Sequence, residues 1–343
     1  MIRFGPAGIP LSCKGRTLED GIEDVHNLGL AAMEVQLVRI NVIERFPTEE
    51  EVGLTPRTLP GELVVALRRE GVADQLVHDP DAVIEPGDTL HVLVGSVAED
   101  FVELEFLGEL ARELDVEMSL HTPYYMDLAG EGELGRKSLD SIRWGGMIAH
   151  HLDARVVVTH MGLYGELTPE AALERIIGRV KDLSTWFRKQ GLRPLIGLET
   201  SGRQEVVGSV DEVVAISEAV PEVMPVLNFG HIHAREGGSL REAADFGELL
   251  DRVEPIAHGQ FHCHFAGVEH EGGNELRYTP IKRGDLRFEP LVESILEAEY
   301  PLTVISSSPL LEHDAMYMKV ILERVLGRRV MKRIREKKEE DET

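Results

Sequence analysis

The chain is poor in cysteine, in aromatic residues and in positive charge, and it contains no long apolar run. Its two cysteines, Cys13 and Cys263, are too few and too far apart for a disulfide framework. A reducing, cytoplasmic setting is the simplest expectation. The opening stretch MIRFGPAGIPLSCKG lacks a continuous apolar core of signal-peptide length. No apolar run approaches the ~20 residues needed to cross a bilayer, so no membrane span is expected. Against 61 Asp and Glu there are 36 Lys and Arg, a net charge of −25 in 343 residues. That balance disfavours a long basic track for nucleic acid, because cations meeting phosphates supply most non-specific affinity. An acidic, ion-rich surface equally suits a hot or salty cytoplasm. The rest is ordinary for a soluble globular protein, with 43% hydrophobic and 28% charged residues.

Within that composition one pattern recurs. Five short apolar runs, over residues 116–121, 156–160, 195–199, 223–231 and 256–264, end at His121, His160, Glu199, His231 and His264. Each is followed by a loop bearing Gly or Pro and then by a segment of helical period. In a closed parallel barrel the C-terminal ends of all strands open onto one face, so residues far apart in sequence converge there. Imidazoles and a carboxylate converging in this way are ligands for Zn or a similar divalent ion. A lone histidine is more often part of a core, but five coincident placements argue for a metal site.

The order of the elements supports a parallel barrel. A strand over 2–8 leads to a helix opened by Thr17 and Asp20 as a capping box, then to a strand over 32–38. Strand–helix alternation resumes at residue 101 and yields six further strands, the last over 302–307, with a final helix over 310–326. Thr168 and Pro169 mark one helix start, as N-cap and first helical position. Between the second strand and its helix, residues 40–101 show short β-rich runs punctuated by Pro60-Gly61 and Pro86-Gly87-Asp88. The fold class is therefore α/β: a (β/α)8 TIM barrel over 1–39 and 102–330, a small β-rich inserted domain over 40–101, and a charged tail over 331–343. The barrel without its insert has the usual size for eight βα units.

The insert resembles the C-terminal domain of regulator-of-potassium-conductance proteins (RCK_C, or TrkA-C) in LVVALRREG at 63–71 and DAVIEPGDTL at 81–90. The resemblance implies a homodimer through the insert and a small regulatory ligand bound there. The remainder resembles the endonuclease IV family of xylose-isomerase-like barrels in HTPYY at 121–125, THMG at 159–162, GLET at 197–200, NFGH at 228–231 and HCH at 262–264. That family implies up to three divalent ions, usually zinc, with Mn or Mg as alternatives, and DNA containing an abasic site as substrate. Position by position, His121, His160 and Glu199 match ligands of the first metal, with Glu199 reaching a second. His231 matches a ligand of the third metal and His262 a ligand of the second. Tyr124 and Arg39 match residues that meet the nucleic acid.

The departures are as informative. The family's strand-six aspartate is Asn228, its strand-eight glutamate falls at Ser307, and its Asp-x-His pair falls at Glu275 and Tyr278. Neighbouring divalent ions repel strongly unless anions intervene, so fewer carboxylates support fewer metals. One well-held ion is expected at His121, His160 and Glu199, with a weaker second site using His231, His262 or His264. His262 and His264, at i and i+2, share one face of a strand. His233, Asn228, Glu275 and Ser307 are candidates for weak ligation or for orienting the ligands, and Cys263 for packing in the barrel wall. The leading expectation is a divergent endonuclease-IV-like phosphodiesterase in DNA repair, with Glu199 orienting the attacking water. The alternatives are an isomerase or epimerase of the xylose-isomerase-like group acting on a sugar, a small phosphorylated sugar or a polyol, and a non-catalytic metal-binding sensor or scaffold whose insert takes a ligand.

Overall fold

The computed structural model describes residues 1–38, 40–69, 76–95 and 97–341. The chain opens with β1 (Ile2–Pro6), α1 (Leu18–Asn27) and β2 (Ala32–Gln36). Next come β3 (Asn41–Arg45), β4 (Leu63–Arg68), β5 (Leu76–Val77) and β6 (Thr89–Val94). The alternation then resumes with α2 (Phe101–Glu113), β7 (Glu117–His121), α3 (Glu133–His151) and β8 (Val156–Thr159). It continues through α4 (Pro169–Lys189), β9 (Leu195–Glu199), α5 (Val210–Ala219) and β10 (Val223–Asn228). After α6 (Phe229–Arg235) and α7 (Ala243–Val253) come β11 (Phe261–Phe265), β12 (Gly267–Glu271) and β13 (Asn274–Thr279). The last elements are α8 (Phe288–Ala298), β14 (Leu302–Ser306) and α9 (Glu312–Asp341).

Eight strands form one parallel sheet in the order β1-β14-β11-β10-β9-β8-β7-β2. Its two edges meet. Ala7 and Glu34 form a parallel bridge, and the Ala31 N–H donates to the Phe4 carbonyl at 3.0 Å. The seam depends on Gly5, where a Cβ would lie 1.8 Å from the Ala32 carbonyl oxygen. The sheet is thus a nearly closed TIM barrel. Helix starts follow local chemistry: Thr17 with Asp20, and Ser209 with Glu212, form capping boxes, and Thr168 accepts from the Ala171 N–H ahead of Pro169.

Two boundaries differ from the sequence reading, the start of the seventh strand and the end of the last helix. The seventh barrel strand starts at Phe261, because Pro255 sits in a 3-10 turn over Glu254–Ile256. The apolar run over 223–231 is a strand only as far as Asn228, whose side chain caps α6, so its last residue, His231, lies on a helical turn. The last helix runs on to Asp341 through a stretch of strong helix formers that includes the pair Lys332–Glu336.

Strands β3, β6, β4 and β5, in that order, make a separate antiparallel sheet. Alternation along β4 and β6 gives this sheet two apolar faces. Val64, Leu67, Leu90 and Val92 join Leu59 and Ile84 in a small core of their own. Leu63, Val65 and Leu93 pack instead into the cluster that holds Phe101 and Leu104 of α2. Arg57 ties the two parts together by pairing with Asp81 and Glu105. No helix among the described residues is long and apolar enough to cross a membrane.

Candidate metal centre

Glu199, at the end of β9 and 2% exposed, is the hub of the barrel mouth. Its Oε2 lies 2.8 Å from His121 Nε2 and 3.4 Å from His160 Nε2. Its Oε1 accepts from Asn228 Nδ2 at 2.6 Å and lies 3.3 Å from His264 Nδ1 and 3.6 Å from His231 Nδ1. The five strand-end runs therefore do converge on one pocket.

Tautomers follow from acceptors that cannot donate. His121 Nδ1 lies 2.7 Å from the Thr122 carbonyl, so Nδ1 carries the proton and the Nε2 lone pair faces Glu199. His231 Nδ1 likewise donates to the Thr200 carbonyl at 2.6 Å. Its Nε2 then faces Glu275 Oε2 at 2.9 Å and the Tyr278 hydroxyl at 2.6 Å. Tyr278 stacks on this ring and also accepts from Asn228 Nδ2 at 2.7 Å. Asn228 is thus a bridge between Glu199 and Tyr278, and its Oδ1 caps α6 at the His231 N–H.

The electrostatics suit metal ligation. Burial raises the Glu199 carboxyl, but His160, His264 and His121 outweigh it and hold the group well below the usual carboxylate range. Burial pushes the His160 imidazole down to about 3, helped by His121, His231 and His264, so it is neutral and free to ligate. Burial also lowers His121 and His231, but Glu199 reverses this for the first, and Glu275 with Glu199 for the second. Without a cation, His121 Nε2 and Glu199 Oε2 need a shared proton; a divalent ion replaces it. His121, His160 and Glu199 place one ligand atom each within 4.8 Å of the others, and this chemistry fits such an ion.

The remaining sequence candidates separate into groups. His262 does not join Glu199: together with His264 it faces Glu34, at 3.2 and 3.1 Å. Ser307 lies 3.2 Å from His264 Nδ1. His233 faces away, with Nε2 3.2 Å from Asp285 Oδ1, and its Nδ1 accepts from the Leu240 N–H. Tyr124 packs edge-on against His160 and against Tyr125, and both tyrosines are exposed at the lip. Cys263 is fully buried in the wall, where burial pushes its thiol up. Arg39 lies outside the described residues.

Sequence reasoning missed Glu34, which is completely buried. Its signal was an acid inside AMEVQ, since both faces of a barrel strand are covered and a charge there needs a partner.

A cleft of about 840 Å³ opens beside the centre, lined by Tyr124, Tyr125, Tyr164, His160, His231 and Glu275 among others. A second cavity of about 360 Å³ reaches His121, Glu199, His264 and Ser307. The described residues of the insert line neither.

The sequence matches the xylose isomerase-like TIM barrel family over residues 84–310. The chain belongs to that family. An uncharacterized protein of Methanocaldococcus jannaschii is 25% identical over 236 residues, 66% of this chain and 86% of the relative. Among solved structures, endonuclease IV of Thermus thermophilus is 18% identical with a TM-score of 0.57, covering 94% of this chain and 99% of that one. A D-tagatose 3-epimerase-like protein is 24% identical at TM-score 0.53, covering 66% and 83%. L-ribulose 3-epimerase is 11% identical at TM-score 0.57, covering 96% and 98%. These likenesses show the fold, which carries nucleases and sugar epimerases alike.

Proposed function

We propose that the protein is a divalent-metal-dependent hydrolase acting on phosphodiester bonds in the manner of endonuclease IV, with a small phosphodiester favoured over a long duplex. The donor set carries this reading. Two neutral-capable imidazoles and one carboxylate, His121, His160 and Glu199, match the two-histidine, one-glutamate ligation of hydrolytic zinc centres. Zinc is the expected ion, with Mn and Mg as competitors. A cation held there supplies Lewis acidity, polarising a phosphoryl oxygen and acidifying water beside it.

The chain's own groups do the rest. Asn228 fixes the plane of the Glu199 carboxylate. His231, tied at Nδ1 and facing Glu275 and Tyr278 at Nε2, is placed to pass a proton to a leaving oxygen. The rim favours a small substrate. Asp127, Glu131, Glu166, Glu205 and Glu275 line the cleft, and its arginines among the described residues, Arg175 and Arg203, already pair with Glu131 and Glu205. A long polyanion gains little there.

A second reading, a sugar isomerase or epimerase, draws on that same acidic, tyrosine-lined rim, which suits a neutral polyol. Against it, proton transfer on both faces of a sugar calls for two bases, and beside Glu199 stands an amide, Asn228, while beside His264 stands a hydroxyl, Ser307. The experiment loads the protein with Zn, Mn or Mg and offers bis(4-nitrophenyl) phosphate, an abasic-site duplex and a panel of ketoses and sugar phosphates. Cleavage of the small diester, lost in Glu199→Gln, is expected. Sugar isomerisation without any diester cleavage would move the conclusion to the second reading, and metal binding without turnover would move it to a sensor. The insert's likeness to RCK_C domains adds a proposed role in ligand-dependent dimerisation. Sedimentation of the full chain with and without nucleotides tests it, and a monomer under every condition sinks it.

A further inference from the structure

Beneath the Glu199 centre lies a second cluster of the same composition. Glu34 Oε2, on β2, stands 3.2 Å from His262 Nε2 and 3.1 Å from His264 Nε2, both on β11. Between these strands in the sheet order come β1 and β14, so the contact crosses the barrel interior. Glu34, His262 and His264 are 0%, 1% and 2% exposed. We propose that Glu34, His262 and His264 form a second, sealed divalent-cation site, distinct from the one at His121, His160 and Glu199. It is independent of which reaction the upper centre performs.

Three observations carry this. The first is spacing. Donors about 2.0–2.1 Å from one ion lie roughly 3 Å from each other, the separation of each imidazole from Glu34 here, and all three ligand atoms lie within 4.8 Å of one another. Two imidazoles and a carboxylate are also a zinc-type set.

The second is the support around the ligands. Gln36 Nε2 donates to Glu34 Oε1 at 2.8 Å, and the Ser119 hydroxyl donates to Oε2 at 3.3 Å, so the carboxylate is aimed and held. His264 Nδ1 faces Glu199 Oε1 at 3.3 Å. A carboxylate there places the proton on Nδ1 and leaves the Nε2 lone pair for a cation beside Glu34. This is the carboxylate–histidine–metal arrangement, with Glu199 orienting a ligand of the lower site while ligating at the upper one.

The third is a contrast. His233, His270 and Asp285 also cluster within ligand distance. There, however, the Leu240 N–H donates to His233 Nδ1, which puts the proton on Nε2, the atom that faces Asp285. That nitrogen has no lone pair to offer. Among the described residues no such donor blocks Nε2 of His262 or His264.

Neither cavity at the barrel mouth is lined by Glu34 or His262, and His264 reaches the smaller one. With all three side chains at most 2% exposed, an ion at the lower site exchanges slowly. The experiment measures zinc per chain in the zinc-loaded protein before and after brief dialysis against a chelator, and maps anomalous scattering at the zinc edge in crystals. Two equivalents are expected, falling to one after dialysis, with a retained peak between Glu34, His262 and His264. His160→Gln should keep that slow equivalent, and Glu34→Gln should lose it. Since Glu34→Gln stands at the barrel seam and can fail to fold, the anomalous map of the unmutated protein decides. A zinc-saturated crystal with no peak between these three residues overturns the proposal and leaves His264 as an imidazolium bridging two carboxylates. Loss of diester cleavage alone bears only on the upper centre.

Discussion

Asn228→Asp tests the charge ledger of the upper centre directly. In the native chain Asn228 Nδ2 donates to Glu199 Oε1 at 2.6 Å. Aspartate removes that donor and sets a second carboxylate oxygen against the first. At an effective dielectric of about 20, two unit charges this close repel by roughly 6 kcal/mol. The pair has a cheaper way out: it can take up one proton. Holding an acid of ordinary pKa near 4 protonated at pH 7 costs about three pH units at 1.36 kcal/mol each, or ~4 kcal/mol. The metal-free variant should therefore be destabilised by about 4 kcal/mol at pH 7, roughly 5–6 °C in Tm for a chain of this size. At pH 5 the same proton costs only about 1.4 kcal/mol, so the deficit should shrink threefold. A divalent ion bound between two carboxylates turns repulsion into ligation, so zinc should restore Tm more in the variant than in the native protein. The assay is thermal unfolding of chelator-treated protein at pH 5 and pH 7, with and without zinc. If metal-free Asn228→Asp melts with the native protein at pH 7, the buried, carboxylate-poor centre described above is wrong.

Other expectations follow from single contacts. Gly5→Ala places a Cβ 1.8 Å from the Ala32 carbonyl and should open the barrel seam, seen as loss of soluble, cooperatively folding protein; a native-like melting curve would contradict the closure. Tyr278→Phe removes the hydroxyl set between Asn228 Nδ2 and His231 Nε2, at 2.7 and 2.6 Å. Turnover should fall about tenfold, the worth of one hydrogen bond, while metal content stays the same. In the insert, the Arg45 guanidinium holds Glu51 down to about 2 from 4.5. Because its folded value is depressed, its stabilisation is complete above pH 4.5 and is lost as pH falls through 2. Glu51→Gln should thus cost about 1–2 kcal/mol at pH 6, allowing for partial screening, and nothing near pH 2 in acid unfolding curves.

The chain order of strands and helices, and most of the site, could be read from the letters because both are local. Caps at Thr17, Thr168 and Ser209 act within one helical turn, and a run ending in His121 or Glu199 points its last residue at the barrel mouth once the strands are parallel. His231 was legible as a ligand candidate but not as a helical residue, since the Asn228 cap that ends β10 depends on a side-chain hydrogen bond.

Glu34 marks the limit. In the sequence it is one acid in a short strand, 228 residues from His262 and 230 from His264. Only closure of the sheet brings β2 opposite β11, and only the register of β11 decides that His264 meets Glu199 as well while His262 meets Glu34 alone. The amino-acid order by itself determined which residues end the strands, and hence that imidazoles and a carboxylate share one face. Which of them meet, and which acid they meet, was decided by the tertiary structure, because contacts across a barrel interior depend on strand number, tilt and stagger, which no short stretch of chain encodes.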